Sequence, residues 1–206
     1  EYELVAGALS ADAKKSLASG KDLGLAADRT YSDYKIMAKA EAKRADGIEA
    51  VSIVTPNHMH VPIAKAFIEA GIHVICDKPL ALNLKEAQSL ESLLKKKRNM
   101  VFALTHNYSG YPMIRQARAM VASGDLGEIR VAQGEYPQDW LTTALEKTGQ
   151  KQAAWRTDPK RSGAGGCVGD IGTHTYRLVR FGSSVALNGL SADLTSFVKG
   201  RKLDDN

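Results

Sequence analysis

The chain has 206 residues, of which 44% are hydrophobic and 25% are charged. This composition predicts a folded chain with a hydrophobic core and excludes an intrinsically disordered protein. The basic residues behind the net charge of +5 are scattered along the sequence, so we expect an ordinary solvated surface and no nucleic-acid partner. No stretch reaches the roughly 18 apolar residues of a membrane helix, and no signal peptide is visible.

The first half of the chain alternates strand and helix patterns. Strands are predicted at residues 3–9, 50–54, 72–76 and 100–104, and helices at 32–43, 57–70 and 83–97. Short apolar strands between helices are typical of a parallel sheet with helices on both faces. Ligands bind to such a sheet beyond the carboxyl ends of its strands. We therefore predict an α/β Rossmann-type domain over residues 1–105.

The second half has a different pattern. Helices are predicted at residues 113–122 and 169–181, and strands at 129–136 and 187–198. These segments predict an α+β domain with a mostly antiparallel sheet over residues 106–206. The two cysteines, Cys76 and Cys167, lie in apolar or glycine-rich segments without metal-ligand spacing. This favours reduced thiols, a cytoplasmic protein and no bound metal.

Two short motifs contain an amine, a carboxylate and an imidazole. Lys78 follows a predicted buried strand and precedes Pro79, which stiffens the turn. Asp170 and His174 follow a glycine cluster and are four residues apart on a predicted helix, so they share one face. An aspartate there can fix the imidazole tautomer. Such groups can exchange a proton with a sugar hydroxyl while a nicotinamide exchanges a hydride. Taken singly, a surface lysine and a surface Asp-His pair are equally ordinary alternatives.

Other polar side chains follow the predicted strands. Thr55, Asn57 and His60 can hydrogen-bond a ribose or a phosphate, although turn formation and helix capping also use such residues. Trp155 and Arg156 offer a stacking face and a fork for an anion, or a packed pair. His106, Asn107 and Tyr108 leave the last strand of the first half, and they are candidate substrate contacts or hinge residues.

Taken together, five runs in this order resemble the Gfo/Idh/MocA oxidoreductase family, which includes glucose-fructose oxidoreductase and inositol dehydrogenase. The runs are VTPNHMH at 54–60, CDKPL at 76–80, GDLGEI at 124–129, WR at 155–156 and GGCVGDIGTH at 165–174. The resemblance covers nearly the whole chain. It implies a dinucleotide-binding domain followed by a domain with a large antiparallel sheet, through which many members form dimers or tetramers.

The resemblance also implies roles for individual residues. Lys78 matches the family's catalytic lysine, which contacts nicotinamide and substrate, and Asp170 and His174 match its aspartate–histidine pair. The cofactor contacts that it implies are Thr55, Asn57, His60, Lys78, Trp155 and Arg156. The substrate contacts that we expect are Lys78, Asn107, Tyr108, Asp170 and His174.

The implied activity is hydride transfer between NAD(P) and a sugar, a sugar derivative or a cyclitol. We expect His174 to be the direct acid/base, Lys78 to polarise the oxygen and Asp170 to orient both, and the roles of Lys78 and His174 can be exchanged. The alternative is a non-catalytic NAD(P)-binding sensor of the same fold. A homodimer or homotetramer is expected.

The chain departs from the family pattern at several places. It has no Gly-x-Gly-x-x-Gly loop, Asp77 replaces the usual glutamate, and Arg177 stands where relatives often have an aspartate. We therefore expect a fragment that lacks the first strand, the glycine-rich loop and later strands, and one alternative is that this fragment by itself binds no dinucleotide and is inactive. Ser10, with Lys14 and Lys15 nearby, stands where the family reads the adenosine ribose, which slightly favours NADP over NAD.

Overall fold

The computed structural model describes residues 2–205, so the ends of the two predicted domains, Glu1 and Asn206, lie outside the described residues. The chain forms two compact units. The first contains residues up to 55 together with 59–76 and 85–103, and the second contains 56–58, 77–84 and the residues from 104 onwards. The loops after two strands thus belong to the second unit.

The first unit is built from parallel strands and helices. Its strands are β1 (Gly7–Ala8), β2 (Thr30–Tyr31), β3 (Ala50–Ile53), β4 (His73–Asp77) and β5 (Phe102–Thr105), the last two continuing into the second unit. Its helices are α1 (Ala13–Asp22), α2 (Tyr34–Glu41), α3 (His60–Glu69) and α4 (Leu84–Lys96). β1 pairs with β2, and β3, β4 and β5 form a second sheet in that order. The predicted Rossmann-type parallel sheet is confirmed, although the strand predicted at 3–9 is reduced to two residues.

The core of the first unit lies between α3 and the central strand β4. Phe67 and Ile68 of α3 and Val74 and Cys76 of β4 are fully buried. β4 alternates buried and less buried residues, as expected of a strand whose side chains point alternately to two faces. Gly71 follows the C-terminal end of α3, and its φ of +83° favours glycine.

An ion pair is buried beside this core. The Arg29 guanidinium donates to both carboxylate oxygens of Glu41, at 2.5 and 3.2 Å, and the Tyr31 hydroxyl donates to the same carboxylate at 2.9 Å. Burial, followed by this hydrogen bond, raises the pKa of Tyr31 to about 12. The three side chains connect β2 and the 3-10 turn before it to α2.

The second unit is helical. Its helices are α5 (Pro112–Ser123), α6 (Lys151–Arg156), α7 (Pro159–Ser162) and α8 (Thr173–Ser183), and a π-helical turn, Val168–Gly172, leads into α8. α5 packs against α8, and the Arg118 guanidinium lies 4.4 Å from the centre of the Phe181 ring. Between residues 2 and 205, no helix is both long and apolar enough to cross a membrane.

The antiparallel sheet predicted for the second half is not confirmed. Among residues 2–205 every assigned strand pairing is parallel, and no strand lies within 129–136 or 187–198. Val131 and Leu190 in these stretches are 85% and 82% exposed. A period-2 pattern describes which face a residue would occupy, but a strand forms only when a second strand binds its N–H and C=O groups. The homo-oligomer expected through this sheet stays a prediction.

Candidate active site

Lys78 stands in the turn that follows β4. The preceding residue, Asp77, accepts a hydrogen bond at Oδ1 from the Thr105 hydroxyl at 2.6 Å, which links the turn to the end of β5. The peptide bond between Lys78 and Pro79 is cis. The Lys78 side chain is only 18% exposed, so the turn carries a lysine that is directed into the second unit rather than into solvent.

Asp170 is the residue that receives this lysine. The Lys78 Nζ atom lies 2.5 Å from Oδ1 of Asp170 and 2.7 Å from its main-chain oxygen. The other carboxylate oxygen, Oδ2, accepts from Nε of Arg156 at 3.1 Å. Burial would raise the pKa of Asp170, but the hydrogen bond and charge of Lys78, followed by those of Arg156, hold that pKa below its ordinary value. One ionised carboxylate therefore joins two cations.

His174 lies at the start of α8 and is 6% exposed. Its ring centroid lies 4.7 Å from that of Tyr108 and 6.2 Å from that of His106. Burial lowers the pKa of His174, and the positive charge of Lys78 and the neighbouring His106 lower it further. The imidazole is therefore neutral near pH 7 and able to accept a proton.

Asp170 and His174 do not form the hydrogen bond that their spacing predicted. No such bond exists within residues 2–205, and the Asp170 carboxylate binds Lys78 and Arg156 instead. The reason is the π-helical turn Val168–Gly172. Its i→i+5 hydrogen bonds widen the backbone turn, so residues four apart no longer stack as they do in an α-helix.

Arg156 was predicted as a cofactor contact, and in the structure its side chain binds the carboxylate of Asp170. Its guanidinium lies 4.2 Å from the ring centre of Trp155 and donates to Gln152, as well as to Asp170. Trp155 donates from its indole nitrogen to Gln152 at 3.0 Å. The pair at the end of α6 thus fixes Arg156 against Asp170.

A cavity of about 410 Å³ brings most of these groups together. Five of the predicted residues line it: Lys78, Tyr108, Arg156, Asp170 and His174. Asn107 and Trp155 are not on its wall. Its volume lies within the range of small-molecule sites.

Six residues of the cavity wall were not predicted from the sequence: Tyr136, Gln138, Trp140, Gln150, Gln152 and Ile171. Tyr136 is the last residue of the segment that was predicted as a strand, and Gln138 and Trp140 directly follow it. The Tyr108 and Tyr136 hydroxyl oxygens lie 2.6 Å apart.

Two polar atoms near this site, on His106 and Arg177, are buried without a hydrogen-bond partner among residues 2–205. These atoms are Nδ1 of His106 and Nε of Arg177. Burial, followed by the charges of Arg177 and Lys78, lowers the pKa of His106. Arg177, which departs from the family pattern, therefore adds positive charge beside His106.

The predicted cofactor residues of the first unit lie at strand ends. Thr55 follows β3, and its main-chain oxygen lies 2.8 Å from Nε2 of the buried His60. Its hydroxyl oxygen is buried without a hydrogen-bond partner among residues 2–205. Ser10 follows β1 and accepts from the amide of Asp12 at 3.1 Å. Asn57, which belongs to the second unit, is buried and donates to the Ser162 oxygen at 2.9 Å.

Comparison with known proteins identifies the family. A model described as the oxidoreductase family with an NAD-binding Rossmann fold, GFO_IDH_MocA, matches residues 2–106, and a model of the GFO/IDH/MocA C-terminal domain matches residues 114–206. The chain belongs to the Gfo/Idh/MocA oxidoreductase family. The resemblance found in its motifs is thereby confirmed, and so is its classification with NAD-binding oxidoreductases.

Two curated relatives have similar sequences. An uncharacterised oxidoreductase of Bacillus subtilis (strain 168), YfiI, is 41% identical over 207 residues, which is 100% of this chain and 52% of the relative. Levoglucosan dehydrogenase of Pseudarthrobacter phenanthrenivorans is 34% identical over 158 residues, which is 76% of this chain and 38% of the relative. The chain thus spans about half or less of the length of these relatives.

Two solved structures are similar over almost the entire chain. An oxidoreductase from Sinorhizobium meliloti is 51% identical with a TM-score of 0.84, covering 99% of this chain and 51% of that one. An inositol dehydrogenase homologue from Azotobacter vinelandii, solved with NAD+, is 38% identical with a TM-score of 0.91, covering 100% of this chain and 53% of that one.

Proposed function

We propose that the protein is an NAD(P)-dependent dehydrogenase or reductase of a sugar, a sugar derivative or a cyclitol. Two relatives support this substrate class, because one is named a levoglucosan dehydrogenase and another an inositol dehydrogenase homologue. The observation that carries the proposal is the convergence of Lys78, Asp170 and His174 on one cavity of about 410 Å³.

Lys78 binds the reacting oxygen of the substrate. An ammonium group has three hydrogens, and two of those on Lys78 are donated to Asp170. The third is left for a substrate hydroxyl or carbonyl in the cavity. A donor fixed in this way stabilises negative charge that develops on the oxygen.

His174 moves the proton. In the direction of alcohol oxidation, its neutral imidazole accepts the hydroxyl proton, and in the direction of reduction the imidazolium returns it. Its lowered pKa favours the form that accepts. Asp170 positions Lys78 rather than the imidazole, since its hydrogen bonds go to Lys78 and Arg156.

The nicotinamide of bound NAD(P) supplies the hydride acceptor or donor. The unpartnered Thr55 hydroxyl, at the carboxyl end of β3, fits a polar group of the dinucleotide. Near Ser10, the positive charges of Lys14 and Lys15 would attract the 2′-phosphate of NADP, whereas the Asp12 carboxylate would repel it. We propose that NAD is accepted, as in the Azotobacter homologue, and the preference for NADP stays a hypothesis.

The test is turnover by the full-length protein with NAD+ and NADP+ against a panel that contains levoglucosan, myo-inositol and common aldoses. We expect NADH or NADPH to form, and Lys78→Ala and His174→Ala to lower kcat by about 10²-fold or more. Lys85→Ala removes an exposed lysine of α4 and is expected to retain full activity. Cofactor binding without turnover of any panel member would favour the sensor instead.

A further inference from the structure

Two tyrosine side chains on the cavity wall are joined through their hydroxyl groups. Tyr108 and Tyr136 are 28 residues apart in the sequence, and their phenol oxygens lie 2.6 Å apart. The two rings meet at an angle of 62°, with centroids 5.9 Å apart. Each phenol therefore fixes the position of the other.

This pair lies beside the proposed acid/base. The His174 ring centroid is 4.7 Å from that of Tyr108 and 6.4 Å from that of Tyr136. Both tyrosines line the same cavity as Lys78, Asp170 and His174. A ligand whose reacting oxygen lies at Lys78 and His174 thus has its neighbouring atoms within reach of the phenols.

The two hydroxyl groups retain hydrogen-bonding capacity for a ligand. Each phenol has one hydrogen, and their mutual bond uses one of the two, whichever tyrosine donates. Neither hydroxyl forms another hydrogen bond among residues 2–205. One O–H donor and unused oxygen lone pairs consequently remain available to a ligand. The two phenols together can therefore bind one hydroxyl group in a fixed orientation.

The pair binds oxygen without transferring its proton. The hydrogen bond to Tyr136, followed by burial, raises the pKa of Tyr108 to about 12. A phenol of this kind stays neutral at physiological pH and is a poor acid. Proton transfer is left to His174, and the reacting oxygen to Lys78.

We propose that Tyr108 and Tyr136 act as one unit that binds a second hydroxyl of the substrate, next to the one that reacts. This inference rests on the proposed function and assigns a protein contact to a hydroxyl group next to the reacting one. Tyr136 is thereby a substrate-positioning residue, in addition to Tyr108.

The test compares Tyr108→Phe, Tyr136→Phe and the double variant of the full-length protein, using the substrate that the panel identifies. We expect each single variant to raise KM by about tenfold, the value of one hydrogen bond, and to change kcat much less. Because the phenols act as a unit, the double variant raises KM by less than the product of the single effects. The matched control is Tyr111→Phe, since the Tyr111 ring also packs on Tyr108 but its hydroxyl forms no hydrogen bond within residues 2–205.

Monodeoxy analogues of the substrate separate hydroxyl binding from a structural role. The analogue that lacks the bound hydroxyl should have a raised KM with the wild type and should be insensitive to Tyr136→Phe. The proposed role of the tyrosine pair would be wrong if KM were unchanged in both single variants, or if the KM increase in the double variant equalled the product of the two single increases. Either result would leave the proposed function intact. Absence of turnover by the wild type on the whole panel would overturn both.

Discussion

The ammonium of Lys78 donates two hydrogen bonds to a single residue, Asp170: Nζ lies 2.5 Å from Oδ1 and 2.7 Å from the main-chain oxygen. The same carboxylate also accepts from Arg156. The lysine is therefore held at a fixed point by a residue 92 positions later in the chain.

Replacing Asp170 with asparagine should leave the shape of the site and remove its only described anion. Lys78 and Arg156 would then repel each other without compensation, and Lys78 would lose its position. We expect kcat to fall by about 10²-fold or more, measured by steady-state kinetics of the full-length protein. Asp158→Asn, which alters the exposed cap of α7, should leave kcat unchanged. A wild-type kcat in Asp170→Asn would contradict this account.

The pH dependence of alcohol oxidation should reveal His174. Burial and the charge of Lys78 lower its pKa below the ordinary 6.5. Because the neutral imidazole accepts the proton, kcat/KM should rise with pH and level off once the pH exceeds this lowered value. The neighbouring charges have opposite effects on the pKa of His174, since Lys78 lowers it and Asp170 raises it.

The assignment is checked by recording the pH profile of His174→Gln. The rising limb should disappear from the residual activity of that variant. A limb that stays at the same pH would assign it to another group, of which His106 is the neighbour with a similarly lowered pKa.

From the sequence, Asp170 was expected to orient both Lys78 and His174, whereas its carboxylate binds Lys78 and Arg156. Lys78 and His174 were found because each follows a recognisable turn or glycine cluster. The expected contact with His174 does not form among the described residues, since an α-helical spacing was assumed for Val168–Gly172, which forms a π-helical turn. A π turn leaves no distinct hydrophobic period in the sequence. The pairing with Lys78 is a tertiary contact, which no local pattern contains.

Among the helices and strands, too, some were predicted from the sequence and others were not. Strands β3, β4 and β5 were predicted to within two residues, because short apolar runs in the sequence identify them directly. Helix α1 was missed, since Leu17 is its one large apolar residue and that side chain is exposed. Tyr136 was hidden within a predicted strand that has no partner among the described residues.

The choice between NAD and NADP should depend on Asp12. Its Oδ1 atom caps α1 by accepting from the amides of Lys14 and Lys15, at 2.9 and 3.1 Å. Asp12→Asn keeps a capping oxygen and removes a charge that would repel a 2′-phosphate. We expect kcat/KM for NADP relative to NAD to rise by about fivefold, the effect of about 1 kcal/mol of charge repulsion.

The control for this change is Asp33→Asn, because Asp33 caps α2 through the same two kinds of hydrogen bond. It should leave the cofactor ratio unaltered. An equal ratio in Asp12→Asn and the wild type would place the adenosine ribose away from this end of β1.

The buried pair of Arg29 and Glu41 should dominate the stability of the first unit. Glu41 is 1% exposed and accepts from both Arg29 and Tyr31, so Glu41→Ala leaves a buried cation without its partner. We expect a loss of about 3–5 kcal/mol in the free energy of unfolding, measured by urea denaturation. Glu91→Ala breaks the exposed pair of Glu91 and Lys95 and should cost less than about 0.5 kcal/mol. If Glu41→Ala and Glu91→Ala lost equal stability, water would be reaching Arg29 and replacing the hydrogen bonds that Glu41 accepts.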